Sequence, residues 1–349
     1  FGSVPPKINL LEAHGGFVDS IESTVARFIK YQDEIFATAP VRKLVLKGVS
    51  KKFDRLRQSR HLRQLLSITL KQNQATNEEL VRFVSDAPLD HLQQLQISSS
   101  TPLTVELAGA IARARTLGGL KKLSLYYYNA HGENAVRKLS QSPVIEAIES
   151  LEISDQTDES LELISQSPFF RSLRSLRVAG GISAVGVRQL QSGPFARELE
   201  TLAIRSASFQ SGSWFRRNVG AHDLFDVPHP LENLKHLEIS PSLLPKNLID
   251  ICRNYPNLEV LDLSHNEIND EAVQVLASSP LLSNLKKLTL TGNRITREGM
   301  VALAESEYRK KGLNLSLRGN AINFDTANEL MATYGRTFGN LPKEWWQYR

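Results

Sequence analysis

Apolar residues recur along this chain in a short fixed pattern, written here as L-x-x-L-x-L. The string LEVLDL at residues 258–263 is one copy, and LKKLTL at residues 285–290 is the next. Ten copies begin at residues 41, 65, 92, 120, 148, 173, 199, 234, 258 and 285, and a weaker copy, GLNLSL, begins at residue 312. Successive copies start 24 to 28 residues apart, with one gap of 35. Self-similarity at such a period predicts a solenoid, in which each unit buries its apolar face against its neighbours.

The stretches between the copies have a different pattern, which is typical of helices. In DESLELISQS (158–167) and DEAVQVLASS (270–279) apolar residues recur at spacings of three and four. Thr76 with Glu79 has the spacing of a capping box at a helix start. Pairs such as Ser167-Pro168 predict helix ends, because the residue before proline leaves helical space. Each unit therefore predicts a short strand, a turn, a helix and a return.

The full string from Leu258 to Asn266, L-x-x-L-x-L-x-x-N, resembles the leucine-rich repeat, and the period is similar to that of the ribonuclease-inhibitor-like class. The resemblance covers roughly residues 41–322. It implies an α/β leucine-rich-repeat solenoid, a right-handed horseshoe of about eleven repeats with parallel strands on the concave side and helices on the convex side. It also implies that the asparagine after a strand hydrogen-bonds the backbone of the turn. The residues at this position are Asn73, Asn266, Asn293 and Asn320, whereas the central repeats carry other residues, which predicts less regular turns there.

The segments outside the regular period are expected to be caps and an insertion. Residues 1–40 are interpreted as an N-terminal segment with an amphipathic helical cap over 14–40. This lead-in resembles that of bacterial, planctomycete-type leucine-rich-repeat proteins, although it lacks their "YADWLEE"-type stretch. Residues 323–349 predict a last helix and an aromatic tail, which either packs on the final repeat or remains exposed to bind a partner. The gap of 35 residues is interpreted as an insertion at about 206–230.

Side chains alternate along a strand, so the residue after the second leucine of each copy should face away from the helices. Adjacent copies then place Glu238 beside Asp262, with His236 and His265 nearby. A metal or acid–base site is one interpretation of that group. A protein contact or plain solvated surface is favoured, because an open wall does not exclude water. The predicted partner-binding residues are Tyr126, Tyr127, Glu152, Arg177, Arg205, Glu238, Asp262 and His265, with Trp214 and Arg217 at the edge.

Charge is concentrated in one stretch, residues 42–63, which holds nine Lys and Arg against one acid, Asp54. The stretch thus carries +8 in a chain whose formal charge is +5. Such a basic patch is compatible with nucleic acid or an anionic surface, or with a solvated helix face. Phe53 is its one aromatic residue, so stacking on bases lacks support. The patch comprises Arg42, Lys43, Lys47, Lys51, Lys52, Arg55, Arg57, Arg60 and Arg63.

The remaining features restrict the function class. Cys252 is the single cysteine, which fits a reducing compartment and predicts a cytoplasmic location. No apolar run approaches the roughly 18 residues of a membrane span. P-loop, H-E-x-x-H and G-x-S-x-G motifs are absent, so no catalytic residue, metal or cofactor is predicted. The favoured function is a non-enzymatic scaffold that binds a protein partner. A GTPase-activating or other enzyme-regulating repeat protein remains an alternative.

Overall fold

The computed structural model describes residues 8–14, 17–48, 53–73, 75–99, 104–126, 132–205, 231–240, 245–310, 312–322 and 324–338. The chain divides into two compact units. The first unit comprises residues 1–174 with 193–195, and the second comprises residues 175–192 with 196–349. The predicted aromatic tail, with Trp345, Trp346 and Tyr348, lies outside the described residues, as does the insertion at 206–230.

The first unit alternates strands and helices in the predicted order. Strands β2 to β7 pair in parallel with their neighbours in the sequence, and β1 pairs with β2 in antiparallel orientation. Its elements are β1 (Asn9–His14), β2 (Phe17–Thr24), α1 (Val25–Thr38), β3 (Lys43–Lys47), α2 (Phe53–Arg57), β4 (Ser67–Asn73), α3 (Asn77–Asp86), β5 (Gln94–Ser99), α4 (Val105–Arg113), β6 (Lys122–Tyr126), α5 (Gly132–Ser140), β7 (Ser150–Thr157) and α6 (Asp158–Gln166).

The second unit repeats the same construction with six parallel strands among its described residues, again paired in sequence order. The predicted last helix is confirmed as α12. The elements are β8 (Ser175–Gly181), α7 (Ala184–Gln191), β9 (Thr201–Arg205), β10 (His236–Ser240), α8 (Pro245–Asn254), β11 (Val260–Asp262), α9 (Asp270–Ala277), α10 (Leu281–Asn284), β12 (Lys287–Thr289), α11 (Arg297–Glu305), β13 (Asn314–Ser316) and α12 (Phe324–Phe338).

The second apolar residue of each predicted copy fixes the strand register. Within the first unit these residues are direct partners from strand to strand, and the same holds within the second. All are at most 5% exposed: Leu44, Ile68, Leu95, Leu123, Leu151, Leu176, Leu202, Leu237, Leu261, Leu288 and Leu315. Full burial of such a side chain stabilises the fold by about 1.5–3 kcal/mol. The sequence period is therefore the number of residues between equivalent positions of neighbouring strands.

The N-terminal prediction is wrong in its first half, because residues 17–24 form strand β2 and the helix begins only at Val25. Strand β2 pairs in parallel with β3, so that Ile21 is the register partner of Leu44. The parallel strands therefore begin one strand before the first predicted copy. A hairpin signal was present in the sequence, because Gly15-Gly16 are the two residues that separate β1 from β2. The helical periodicity of residues 25–38 masked it when the whole segment was interpreted as one element.

The asparagine prediction is confirmed at the end of the second unit. The Asn293 amide donates to the carbonyls of Leu263 (2.9 Å) and Leu290 (3.0 Å), and its Oδ1 accepts from the N–H of Ile268 (3.1 Å). Asn266 donates in the same way to Ile239 and Leu263, and Asn320 to Leu290 and Leu317. Each side chain thus satisfies buried backbone groups of its own repeat and of the repeat before it. The side chain of Asn73 lies outside the described part of the chain.

A second ladder, built from serines at the helix ends, was not predicted. The hydroxyl of Ser142 donates to the Ala112 carbonyl (2.5 Å), that of Ser167 to the Ser140 carbonyl (2.6 Å), and that of Ser306 to the Ala277 carbonyl. The last carbonyls of a helix have no partner within the helix, so a serine of the following repeat satisfies one of them. The predicted capping box is confirmed, with Thr76 and Glu79 exchanging hydrogen bonds at the start of α3.

Candidate functional site

In each unit the side of the strands opposite to the buried leucines is the candidate surface, and we call it the strand face. It is formed by the residues before and after the second apolar residue of each copy, which alternate with it along the strand. These positions are mostly half-buried or exposed, whereas the leucines between them are buried. The residues after the second apolar residue are Glu22, Val45, Thr69, Gln96, Ser124 and Glu152 in the first unit, and Arg177, Ala203, Glu238, Asp262, Thr289 and Ser316 in the second.

In the first unit the strand face begins with Glu22, a residue that the sequence analysis missed because β2 was interpreted as helix. Lys47 pairs with its carboxylate at 2.8 Å, Lys71 lies at 4.0 Å, and the Asn9 amide donates to it at 3.4 Å. The hydrogen bond from Lys47 is the main reason that the pKa of Glu22 lies below its ordinary value, although burial opposes the shift. Lys47 of the predicted patch and Lys71, which lies beyond it in the sequence, therefore both face a carboxylate on this surface.

Further along this face the side chains are mostly neutral. Thr69, Gln96 and Ser124 are successive register partners, and Ser124 lies 3.5 Å from the Glu152 carboxylate. Tyr126 is half-buried at the end of β6, where it stands beside Ser98. Tyr127, its predicted companion, lies outside the described residues.

In the second unit three predicted partner-binding residues form one cluster. Arg177 Nη1 lies 3.3 Å from Glu238 Oε2, and Arg205 Nε donates to Glu238 Oε1 at 2.5 Å. Glu238 is 22% exposed, whereas the side chains of Arg177 and Arg205 are 37% and 55% exposed. We call these three residues the arginine clamp. It brings together groups that are up to 61 positions apart in the sequence.

Asp262 and His265 reach this surface but also have structural roles that were not predicted. Asp262 is the register partner of Glu238, as expected. Its carboxylate, however, accepts hydrogen bonds from the backbone and hydroxyl of Ser264 (3.0 and 2.5 Å). His265 has a φ of 58°, and its N–H donates to the Thr291 carbonyl (2.7 Å). Both residues therefore shape the turn, and their predicted contact with a partner stays a prediction.

The basic patch is offset in space by carboxylates from other parts of the first unit. Lys43 pairs with Asp19 and Lys47 with Glu22, while Arg63 lies 4.0 Å from Asp90. Arg57 bridges Asp54 and Asp86 at 3.1 and 2.8 Å. Lys51 and Lys52 lie outside the described residues, and Arg55 is exposed. Exposed ion pairs add little stability, but these pairs lower the net charge that the patch presents.

Helix α1 contributes to the same neutralisation. Asp33 accepts from Arg60 (3.0 Å) and lies 2.7 Å from His61 Nε2, and these two contacts, that with His61 first, hold the pKa of Asp33 below its ordinary value. The imidazole of His61 is stacked on Phe36, with ring centroids 4.5 Å apart. Arg60, a predicted patch residue, is therefore paired with a carboxylate of α1.

Other chemistry has little support within the described residues. No group of three or more His, Cys, Asp and Glu among them is placed to hold a metal ion. Burial raises the pKa of the Cys252 thiol to about 11, so this thiol is protonated at neutral pH. No helix among the described residues is both long and apolar enough to cross a membrane.

Comparison with known proteins identifies the repeat. The family described as Leucine Rich repeat matches residues 256–277 and 282–304, two successive units at the end where the asparagine ladder is complete. No curated protein matches the chain.

Solved structures resemble the fold at low sequence identity. A chain from the crystal structure of the Rad7 and Elc1 complex in yeast is 15% identical, covers 88% of this chain and 78% of its own length, and has a TM-score of 0.52. A Bacteroides fragilis protein is 14% identical with the same coverage and a TM-score of 0.41. A chain of the TLR13–ssRNA13 complex is 18% identical over 83% of this chain and 38% of its own, with a TM-score of 0.45. At these identities the likeness concerns the fold alone.

Proposed function

Because the chain is built from leucine-rich repeats, we propose that it is a non-enzymatic scaffold that binds another protein through its strand faces. Stacked repeats present an extended surface of this kind, which other repeat proteins use for binding. The fold alone does not determine function. Binding specificity would come from the outward-facing strand positions, whose residue types the repeat pattern does not specify. The cytoplasm is the compartment we propose, on the single-cysteine argument given above.

The observation that carries the proposal is the contrast between adjacent positions of the same strand. Leu95 and Ile97 are buried and serve the core, whereas Gln96 between them is half-buried and faces away. In the second unit Leu288 is buried beside the half-buried Thr289. The apolar positions repeat from copy to copy, but the outward positions range over Thr, Gln, Glu, Arg and Asp. A surface that is constant in shape and variable in chemistry is suited to selecting a partner.

The other predicted contacts belong to the same proposal. Tyr126 and Glu152 on the first unit offer a rigid aromatic ring and a carboxylate, and tyrosine provides contact area at low entropic cost. Tyr127, Trp214 and Arg217 lie outside the described residues and are included on the sequence argument alone, since Trp, Tyr and Arg dominate interface hot spots.

Binding of nucleic acid through the basic patch is the weaker candidate. At least five of its nine cations lie within 4.0 Å of a carboxylate. A phosphate backbone would have to displace these pairs before it gained contacts of its own. We therefore propose a protein partner, and crosslinked products that nuclease removes would indicate nucleic acid instead.

Site-specific photo-crosslinking tests the proposal. A benzoylphenylalanine residue replaces Gln96 or Thr289 on the strand faces, and the matched controls place it at Glu106 on α4 or Gln274 on α9, both exposed. We expect crosslinks to one and the same protein from the strand-face positions in a lysate of the source organism, and none from the helix positions. Equal crosslinking at all four positions, or products removed by nuclease, would overturn the proposal.

A further inference from the structure

We propose that the first unit binds an acidic segment of the protein partner across strands β4 to β6, where two lysines flank a neutral polar centre. The lysines are Lys71 and Lys122, and the polar residues between them are Thr69 and Gln96. We call these four residues the lysine site. The inference rests on the proposed function and names the chemistry of the partner at one place on the strand face.

The outward positions of β3 to β6 carry lysines but no carboxylate. Residues 43, 45 and 47 of β3 alternate with buried leucines, and β4 to β6 have equivalent positions. All of these positions are described, and none of them is Asp or Glu. Carboxylates stand on the two neighbouring strands, Glu22 on β2 and Glu152 on β7. The part of the face without carboxylates is therefore four strands wide, or about 14 Å.

The carboxylate of Glu22 has closer partners than Lys71. Lys47 pairs with its Oε1 at 2.8 Å, and the Asn9 amide donates to the same oxygen at 3.4 Å. Lys71 Nζ lies 4.0 Å from Oε2, which is beyond hydrogen-bond distance, and its side chain is 46% exposed. No other described residue is a partner of Lys71. Its ammonium group, with three donors, therefore remains able to bind a carboxylate of the partner.

Lys122 is exposed at the start of β6 and has no carboxylate within 4.0 Å in the described ranges. The adjacent Lys121 pairs with Glu149 at 3.1 Å, so that carboxylate is occupied. Glu152 stands two positions along β7 from Ser150, the register partner of Lys122. Lys71 and Lys122 are thus the two cations of this face whose charge is not matched by a close ion pair within the described part of the unit.

The centre of the lysine site offers hydrogen-bonding groups without charge. Thr69 and Gln96 are register partners on β4 and β5, and both are half-buried. Their side chains carry donors and acceptors and make no hydrogen bond to another described residue. An extended polypeptide has an N–H and a C=O group at nearly every residue. Its backbone can therefore pair with the centre while its acidic side chains reach the lysines.

The positions of the two lysines set the spacing of the acidic residues. Lys122 is in register with Ser67 of β4 through Gln94, and Lys71 lies four residues further along β4. Two strand spacings of about 4.8 Å and four residues of about 3.3 Å place the two lysine Cα atoms about 16 Å apart. An extended chain covers this distance in about five residues. The matching segment therefore has acidic residues about five positions apart.

Nucleic acid fits the lysine site less well than an acidic polypeptide. A strand of duplex DNA carries one charge about every 3.4 Å, so about four phosphates would cross a face that offers two available lysines. Phosphates that continued past this face would approach Glu22 on one side and Glu152 on the other, which repel them. A polypeptide avoids this repulsion by placing neutral residues beside both carboxylates.

Fluorescence anisotropy with defined peptides at low salt provides the test. The first probe is a fluorescein-labelled twelve-residue serine peptide with glutamates at its positions 4 and 9. The second probe has the same charge but carries its glutamates at positions 6 and 7, and the third is a twelve-nucleotide oligothymidylate. We expect the first peptide to bind about threefold or more tightly than the second, because only its glutamates are spaced to reach both lysines.

Charge-removing and charge-keeping variants assign the binding to the two lysines. Lys71→Gln/Lys122→Gln should bind the first peptide about tenfold or more weakly, because two charged donors are lost. Lys71→Arg/Lys122→Arg keeps both charges and should bind within about threefold of the wild type. The matched control is Arg113→Gln/Lys138→Gln on α4 and α5, two exposed cations with the same total change of charge. It should bind within about twofold of the wild type.

Gln96→Glu distinguishes recognition from a purely structural role. The new carboxylate lies between the two lysines and competes with the peptide, so we expect weaker binding of the first peptide. If the lysines only supported the fold, this substitution would give them an internal partner and leave peptide binding unchanged. Far-UV circular dichroism and the urea midpoint of each variant show whether the fold is kept.

Three results would overturn the inference. They are an unchanged affinity of the double glutamine variant for the first peptide, binding of the second peptide as tight as that of the first, and a larger loss for the oligothymidylate than for the first peptide in that variant. Crosslinking from position 96 in the double glutamine variant separates this inference from the proposed function. If the same partner is still captured there while the first peptide binds as before, the scaffold function stands and the acidic-segment inference falls.

Discussion

The repeats of this protein end their strands in two different ways. Strands β11, β12 and β13 are three residues long, and each is followed by a turn whose asparagine binds backbone carbonyls. Strands β5, β7 and β8 are six to eight residues long, and the sequence has Ser100, Gln156 and Gly181 at the asparagine position. Repeats with the same leucine spacing therefore differ in strand length and in the residue that follows the strand.

After the short strands single backbone hydrogen bonds still join neighbouring repeats, such as that from the His265 N–H to the Thr291 carbonyl, whereas in the longer strands the regular register pairs continue. Register pairs extend to Lys47 with Lys71 and to Ala179 with Arg205, two positions beyond the last pair of the short strands. Strand β7 continues to Thr157, and α6 begins at the next residue. Buried N–H and C=O groups must find partners in either case. Gln156 and Gly181 thus stand at the asparagine position in strands whose regular pairing continues.

The largest expected effect comes from removing one asparagine of the short-strand region. Asn293→Ala removes the acceptor of the Ile268 N–H and one of the two asparagine donors of the Leu263 and Leu290 carbonyls, which keep Asn266 and Asn320. At about 1–3 kcal/mol for the unsatisfied N–H and about 0.5 kcal/mol for each lost second bond, the free energy of unfolding should fall by about 2–4 kcal/mol. Urea denaturation followed by circular dichroism measures this change.

Gln156→Ala is the matched control in the long-strand region. The Gln156 amide donates to the Ser154 carbonyl (2.6 Å), while its Oε1 has no partner among the described residues. Its removal should lower the free energy of unfolding by only about 1 kcal/mol. Equal losses for the two variants would mean that the asparagine turn and the prolonged strand do not differ in the way we describe.

A smaller effect is expected at the residue before the asparagine. Gly292 (φ 68°) and Gly48 (φ 58°) occupy the same repeat position, four residues after the second apolar residue. A Cβ at Gly292 would lie 2.6 Å from His265 Nδ1, whereas a Cβ at Gly48 would meet nothing within 4 Å. The left-handed conformation costs an L-residue roughly 1–2 kcal/mol. Gly48→Ala should therefore cost about 1 kcal/mol and Gly292→Ala about 2–3 kcal/mol.

A double-mutant cycle isolates the contact from the backbone strain. In a His265→Ala background the imidazole is gone, so Gly292→Ala should cost about as much as Gly48→Ala. Thermal or urea unfolding of the four proteins in the cycle supplies the comparison. A Gly292→Ala cost that is the same with and without His265 would assign the difference to the backbone alone.

Sequence reasoning located the core and the strand faces because both follow from short-range spacing. Leucine positions predicted every strand from β3 to β13, and alternation predicted that Glu238 and Asp262 would be neighbours. Strand β2 was missed because a helical periodicity follows it directly in α1. Side-chain direction was not predictable, since it depends on contacts between repeats. Arg177 turns to Glu238 because Ala203 is small, and Asp262 turns to Ser264 in its own turn.

A modest effect is expected for a feature common to both regions, the serine ladder. Ser167 in the first unit and Ser306 in the second each donate to a helix-end carbonyl and accept from a backbone N–H two residues later, at 3.2 Å. Ser167→Ala and Ser306→Ala should therefore each lower the free energy of unfolding by about 1–2 kcal/mol. Ser283→Ala removes an exposed hydroxyl bond to Pro280 and should cost less than about 0.5 kcal/mol.

Similar losses at Ser167 and Ser306 in urea unfolding would show that the two regions share their helix-end chemistry and differ only at the strand ends. A loss confined to one of the two serines would instead extend the difference to the helices. The distinction has a physical basis. Helix ends leave unpaired carbonyls in every repeat, so each repeat needs a donor there whatever the length of its strand. The described asparagine contacts at the strand ends occur in the repeats with three-residue strands.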